Sequence, residues 1–270
     1  MTGGWRLRAY MAVLRVNMKE TLAYKSDMVL TLILSVMSSL IYIIVWSAVY
    51  SFSNTSSLNG LTLSGMLAYF VVLSAISPIL GWPKVVNNMQ DDIREGSIAR
   101  LLIRPMSYVE QLFVEAMPYD LLFFLFASLP IMALVVLIGG FGLSASTLLL
   151  FAAELLIGYL IINLLGFMIG SMAVYLTNIY GIAEGISWVF SIAGGGVVPL
   201  LFFPAEVAGA LMLTPFPLLF YLPAGTLIGI VTAQQALVGI ETGLVWLAIL
   251  ALAARTVWSR VNMAINTVGV

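Results

Sequence analysis

Three polar side chains stand inside long apolar stretches of this sequence: Glu154, Asn163 and Glu184. A carboxylate or an amide is costly in hydrocarbon, and such groups usually face a bundle interior or a water-filled cavity. They are therefore candidates for a translocation pathway or a proton relay. Other interpretations are a protonated Glu154 bonded to a neighbouring hydroxyl or carbonyl, an Asn163 that joins two helices, and a Glu184 that reaches water.

Several kinds of chemistry are excluded by the residue types. The sequence has no histidine and no cysteine, which removes thiol chemistry, histidine acid–base catalysis and the usual zinc sites. It also lacks a G-x-x-x-x-G-K-[ST] phosphate-binding loop, so it cannot hydrolyse ATP by that route. We therefore predict no catalytic residue, metal or cofactor in this chain, and no nucleic-acid partner.

The elements that would position the polar side chains are membrane helices. Hydrophobic residues make up 62% of the 270 residues and charged residues 9%, against about 45–50% and about 25% in soluble domains. The composition predicts an all-α protein of the lipid bilayer with one domain over residues 1–270. Six apolar stretches are long enough to cross about 30 Å of hydrocarbon: 28–50, 61–82, 118–139, 147–176, 180–203 and 238–257. They form three groups, with spans one and two in 28–82, spans three to five in 118–203 and span six in 238–257.

The segment before the first span predicts an amphipathic helix. Within residues 5–27, apolar side chains recur every three or four positions and five basic residues lie between them. That pattern favours a helix in the membrane interface. The alternative is a simple lead-in to the first span.

Residues 83–117, here called the polar segment, are too charged to lie in hydrocarbon. We expect Gly96 to end a helix that continues from the second span, Ser97 to begin a short new helix, and Pro105 to stop it. The apolar face of that short helix would comprise Ile98, Leu101 and Leu102. Three basic side chains would point outward: Arg94, Arg100 and Arg104. An apolar face ringed by charges could dock on a soluble partner; the alternative is a solvated loop held at the lipid surface by its bases.

The stretch between the fifth and sixth spans is apolar but rich in helix-breaking residues. It contains half of the prolines of the chain, namely Pro199, Pro204, Pro215, Pro217 and Pro223. One continuous helix is therefore impossible, and we predict a pair of short helices over residues 204–237 that re-enter the outer leaflet. The preceding run of Gly194, Gly195 and Gly196 is either a hinge at the pore or the transition into this segment.

All eleven basic residues fall on one side of the predicted topology. They lie in residues 6–25, in the polar segment, or at Arg255 and Arg260. By the positive-inside rule both termini and the polar segment are cytoplasmic.

Two segments resemble a known family. DDIREGSIARLLIRP at 91–105 and PLLFFPAEVAGALMLTPFPLLFYLPAGTLIGI at 199–230 are similar to the coupling loop and the proline-rich segment of type-2 permeases of ATP-binding-cassette (ABC) exporters. The tail, VNMAINTVGV, departs from the basic and aromatic ending of near relatives. The resemblance implies a plasma-membrane protein, most simply of the bacterial inner membrane, that exports a hydrophobic or amphipathic substrate by alternating access.

The resemblance also implies partners and coupling residues. Two cytoplasmic ATPase subunits would hold the ATP and magnesium, and a second permease chain, identical or paralogous, would complete the pore. The residues that would couple to the ATPase are Asp91, Asp92, Arg94, Glu95, Gly96, Ile98, Leu101, Leu102, Arg104 and Pro105. Two rival functions are a proton-coupled secondary transporter that uses Glu154 and Glu184, and a membrane enzyme acting on lipid.

Overall fold

The fold is almost entirely helical. The computed structural model describes residues 3–53, 55–80, 84–98, 101, 106–176 and 178–268, with side chains described between residues 8 and 263 of those ranges. The helices are α1 (Gly3–Ala23), α2 (Lys25–Ser53), α3 (Leu63–Leu80), α4 (Lys84–Arg94), α5 (Tyr108–Phe123), α6 (Leu129–Gly139), α7 (Ala145–Gly170), α8 (Tyr180–Ala193), α9 (Ala205–Met212), α10 (Tyr221–Leu227) and α11 (Ala233–Val268). The predicted all-α membrane class is confirmed.

A small antiparallel pair of two-residue strands separates α2 from α3. The strands are β1 (Ser57–Leu58) and β2 (Leu61–Thr62). Asn59 and Gly60 join them with φ values of 49° and 81°. Both positive angles fit the tight hairpin turn for which Asn-Gly is the favoured pair.

Five helical segments of the described residues are long and apolar enough to cross a membrane. They are Lys25–Ser53, Leu63–Arg94, Tyr108–Gly139, Ala145–Val174 and Ala233–Met263, the second running across 81–83, outside the described residues. The predicted fifth span, 180–203, is not among them. Its helix, α8, has 14 residues, or about 21 Å at 1.5 Å per residue, which is shorter than about 30 Å of hydrocarbon.

The third apolar helix begins ten residues before its predicted start at Pro118. Ser107 and Glu110 form a reciprocal capping box, in which each side chain accepts from the backbone N–H of the other residue. This cap fixes the start of α5 at Tyr108 and leaves Pro118 inside the helix. A single π-helical turn, Phe124–Ser128, then connects α5 to α6.

The polar segment is mostly helical, since α4 and the first part of α5 occupy most of it. The two helices pack together through buried side chains at Val85, Met89, Leu112 and Ala116. Their outer faces carry the charges. The segment is therefore a packed helical pair rather than an extended loop.

The N-terminal helix α1 packs along α5 of the same chain. The hydroxyl of Tyr10 donates to Oε2 of Glu110 at 2.6 Å. Tyr10, Leu14 and Met18, three residues of its predicted apolar face, are partly buried, whereas Met11 is exposed. Part of the face that was predicted to meet lipid thus contacts protein.

The central helix is α7, which packs against α4, α10 and α11. Close approach depends on Gly158, where an added Cβ would lie 2.5 Å from the carbonyl oxygen of Leu218. By contrast, α2 packs mainly on α3 and has only three buried residues, Ser35, Ser39 and Tyr50, among those described. The core therefore lies around α3, α7 and α10.

Candidate functional site

Asp92 stabilises the end of α4 and the turn that follows it, here called the tip of the polar segment. Its Oδ1 accepts from the Ser97 hydroxyl at 2.6 Å, and its Oδ2 accepts from the Tyr108 hydroxyl at 2.8 Å. The ring of Tyr108 stacks on Trp258 of α11, with centroids 5.3 Å apart. One carboxylate thereby connects the end of α4, the turn after it and the start of α5.

Gly96 ends α4 as the sequence predicts. It has a φ of 70°, and its N–H donates to the carbonyl of Ile93 at 3.3 Å. This left-handed conformation favours glycine at the residue after a helix end. The backbone N–H of Leu101 then donates to the carbonyl of Ser97 at 3.2 Å, so a new helical turn begins at Ser97.

Two residues of the predicted apolar face are covered by the chain's own helices instead of being open to a partner. Ile98 is 1% exposed and Leu101 is 5% exposed. Both lie in one cluster with Phe167 of α7 and with Ala254 and Val261 of α11. The sequence of the loop could not indicate the part of this cover that lies on α7 and α11, because those residues are far away along the chain.

The charged side chains of the tip do face outward. Asp91, Arg94 and Glu95 are exposed. The other predicted coupling residues, Leu102, Arg104 and Pro105, lie outside the described residues, as does Arg100. Among the described residues of the tip, charged groups held on a buried apolar anchor are therefore available to a soluble partner.

Glu154 lies in the middle of the protein rather than in an open pathway. It is 0% exposed, and its Oε1 accepts from the Thr226 hydroxyl at 3.0 Å, which links α7 to α10. Its Oε2 is buried and has no hydrogen-bond partner among the described residues. The arrangement fits the interpretation of a buried carboxyl bonded to a neighbouring hydroxyl.

The other two predicted pathway residues lie in different surroundings. Asn163 is 5% exposed and donates to the carbonyl of Tyr159 in its own helix at 2.8 Å. Glu184 is an exposed residue near the start of α8. Glu154 and Glu184 share no hydrogen bond in the described part of the chain, so the structure gives the proton-relay alternative no support.

A buried acid that the sequence reasoning missed lies on α5. Asp120 is 8% exposed and its Oδ2 accepts from the Tyr159 hydroxyl at 2.9 Å. Nearby, the ammonium nitrogen of Lys84 lies 2.9 Å from the centre of the Tyr119 ring, and the Tyr119 hydroxyl is 2.8 Å from that of Thr31. The signal was available, since Asp120 is an acidic residue inside the predicted third span.

The glycine run is a tightly packed helix end. Gly195 has a φ of 86°, and its carbonyl accepts from the Tyr69 hydroxyl at 2.8 Å. An added Cβ on Gly195 would lie 2.9 Å from Cβ of Tyr221, and one on Gly194 would lie 2.6 Å from the carbonyl of Phe216. Ser191 similarly crowds Gly196. Of the two predicted interpretations, these contacts favour the transition into the next segment.

The proline-rich segment contains the predicted pair of short helices, α9 and α10. Every residue of α10 is buried, while α9 has no buried residue. The prolines lie before or in the first turn of short helical elements, where no N–H is required. They are Pro199 before Leu200–Phe202, Pro204 before α9, Pro215 and Pro217 at Phe216–Leu219, and Pro223 in α10.

The comparison with family models identifies the chain. The model described as ABC-2 family transporter protein matches residues 36–264, which is most of the sequence and includes both the polar segment and the proline-rich segment. The chain belongs to the ABC-2 transporter family. It is therefore a permease, a multi-pass membrane component of ABC transport. A comparison with curated proteins found no match.

Membership explains the most polar feature of this ABC-2 permease. Permeases of the family work with ATPase subunits, and the tip of the polar segment is an exposed charged surface above the buried side chains of Ile98 and Leu101. Asp91, Arg94 and Glu95 form this surface, which we call the charged tip. It is the part of the described chain that best suits contact with a soluble protein.

Proposed function

We propose that this chain is the membrane-spanning subunit of an ABC exporter, driven by separate ATPase subunits that dock on the charged tip. The observation that carries the proposal is the anchoring of the tip. Asp92 connects it to Tyr108 of α5, and the buried side chains of Ile98 and Leu101 hold it against α7 and α11. A push on a tip held in this way would move the helices of the core rather than bend a loop.

The cargo is a hydrophobic or amphipathic molecule, and the cycle is alternating access. Membrane-facing apolar side chains dominate the chain, and few charges lie in its spans. A second permease chain, identical or paralogous, completes the pore. Both termini and the charged tip lie in the cytoplasm of a cell whose plasma membrane holds the complex, as the distribution of the eleven basic residues indicates.

Co-purification from the native membrane tests the partners. The complex should contain a nucleotide-binding chain and two permease chains, and its reconstituted form should move an amphipathic substrate only with ATP. Transport by a complex that lacks any nucleotide-binding chain would contradict the proposal. Transport that continues without ATP and stops with a protonophore would favour the proton-coupled rival.

Charge reversal tests the docking surface. The double variant Arg94→Glu with Glu95→Lys should lower ATPase stimulation and co-purification of the ATPase at least tenfold, because charges that face each other across an interface would become repulsive. Folding should be unchanged, since both side chains are exposed. The matched control is Glu206→Lys, an exposed acid on α9 that should leave both readouts intact.

A further inference from the structure

A pocket of about 540 Å³ lies between α7 and the continuous helix that α5 and α6 form. Its walls are apolar side chains of α5, α6 and α7, including Met117, Leu121, Met132 and Leu155. This volume is in the range of small-molecule sites, which are about 300–1,000 Å³. Along α7 the pocket runs from Leu148 to Tyr159, which is about 16 Å at 1.5 Å per residue.

A π-helical turn in the backbone helps to explain why the pocket is present. The π-helical turn at Phe124–Ser128 adds a residue to the helix between α5 and α6, and Phe124 lines the pocket. Such turns displace the helix that follows and are frequent at functional sites. The closest packing of α7 is with α4, α10 and α11. The side of α7 that faces α5 and α6 therefore borders a gap.

The polar groups of the pocket lie together. Asp120 and Tyr159 are its lining residues with polar side-chain atoms, and they are hydrogen-bonded to each other at 2.9 Å. The group that donates to Asp120 is a neutral phenol; the ammonium group of Lys84 lies over the Tyr119 ring and acts on Asp120 by charge, without a hydrogen bond to it in the described part of the chain. Burial of a carboxylate is costly, and a cation that is both paired and hydrogen-bonded to it lowers that cost. A ligand that brings a positive charge to Asp120 would offset that cost.

We propose that this pocket binds an amphipathic amine, with its hydrocarbon chain along α7 and its cationic head at the Asp120 carboxylate. An N–H donor on the head would form a charge-assisted hydrogen bond there, which a quaternary head such as that of phosphatidylcholine cannot form. The inference goes beyond the proposed function, since occupancy needs neither ATP nor a partner chain. The same chemistry is found in aminophospholipids of the bilayer and in foreign lipophilic cations.

Photolabelling of the full-length chain tests the site. The protein would be placed in phosphatidylcholine nanodiscs with a dodecylammonium probe that carries a diazirine in its chain. Labelled peptides should come from α5 and α7, around Met117–Leu121 and Phe151–Tyr159. A dodecanol probe with the same diazirine should bind at least tenfold more weakly, because it lacks the charge.

Substitutions distinguish binding of the ligand's cationic head from binding of its hydrocarbon chain. Asp120→Asn should weaken the ammonium probe at least tenfold and leave the dodecanol probe unchanged, while Glu206→Gln, at an exposed acid of α9 outside the pocket, should change neither. Ala152→Phe fills the pocket from an exposed wall position and should exclude both probes. Thermal unfolding checks that each variant is folded. If Asp120→Asn does not fold, the Ala152→Phe result and the difference between the two probes carry the test.

Two further results complete the test. Equal labelling by both probes, or ammonium labelling that Ala152→Phe leaves unchanged, would overturn the proposal. Competition by phosphatidylethanolamine added to the nanodiscs would support the site and identify a bilayer lipid as the ligand. Labelling that phosphatidylethanolamine does not reduce would support it with a foreign cation as the ligand.

Discussion

Asp92 is the residue on which the geometry of the polar segment most depends. Its two oxygens accept from the hydroxyls of Ser97 and Tyr108, which lie on the two sides of the tip. Asp91, its neighbour, is exposed. Two adjacent acids of the same type thus have different roles, one structural and one available to a partner.

The first prediction concerns this pair of acids. Asp92→Ala should lower the free energy of unfolding by about 1–3 kcal/mol, because two hydroxyl donors lose a charged acceptor. Asp91→Ala should change it by less than about 0.5 kcal/mol. Thermal unfolding in detergent measures both. Equal stability of the two variants would show that the hydrogen bonds of Asp92 do not hold the tip.

Glu154 provides the second prediction at this scale. Glu154→Gln keeps an acceptor for the Thr226 hydroxyl, whereas Glu154→Leu removes it. We expect Glu154→Gln to retain transport within about twofold, and Glu154→Leu to lose about 1–3 kcal/mol of stability through an unpaired buried hydroxyl. Transport assays and thermal unfolding give the two readouts. Abolished transport in a stable Glu154→Gln variant would instead indicate a proton-carrying role.

Among the elements, the junction between α8 and the proline-rich segment is the most tightly constrained. Gly195 combines a positive φ with close contacts to Tyr69 and Tyr221. Gly209 is an interior residue of α9 with nothing within 4 Å of an added Cβ. The two glycines offer a matched comparison.

The third prediction is that alanine has opposite effects at these glycines. Gly195→Ala should destabilise the protein by at least about 1–2 kcal/mol, since a left-handed conformation and a short contact both oppose a side chain. Gly209→Ala should be neutral or stabilise by up to about 1 kcal/mol through helix propensity. Unfolding of purified variants distinguishes them. A neutral Gly195→Ala would contradict the packed junction and favour a hinge.

The fourth prediction follows from the buried turn of the polar segment. Leu101→Ala should cost about 2–5 kcal/mol, as large-to-small changes in cores do. Leu213→Ala, at a leucine that is 72% exposed, should cost little. Chemical denaturation measures the difference. A stable Leu101→Ala variant that fails only in ATPase stimulation would return Leu101 to a docking role.

Local elements were predictable where the signal was local. The helix end at Gly96 and the broken helices around Pro204 and Pro223 depend on residue types that restrict their own backbone. The burial of Ile98 was not predictable, because it depends on contacts with distant parts of the chain. The short length of α8 within the predicted fifth span was not predictable either, because an apolar stretch does not show how many of its residues are helical. Asp120 was missed although its type and place gave a signal.

At the scale of the whole molecule, the basic residues are distributed unevenly along the chain. All eleven basic residues lie in α1, at the first residue of α2, in the polar segment or in the C-terminal part of α11. The long stretch between Arg104 and Arg255 contains none. The positive-inside rule applied to this asymmetry supports the proposal that the charged tip and both termini share one side of the membrane, and the stacking of Trp258 on Tyr108 places the C-terminal part of α11 beside the tip.

Cross-linking from the charged tip in native membranes tests this account most directly. Because the chain has no cysteine, Glu95→Cys introduces a single thiol at an exposed position, and Gly209→Cys provides a control on α9. A short cysteine-reactive photo-cross-linker at position 95 should capture a nucleotide-binding chain, while the same reagent at position 209 should not. Labelling of position 95 from outside the cell, or capture of no nucleotide-binding chain there, would contradict the account.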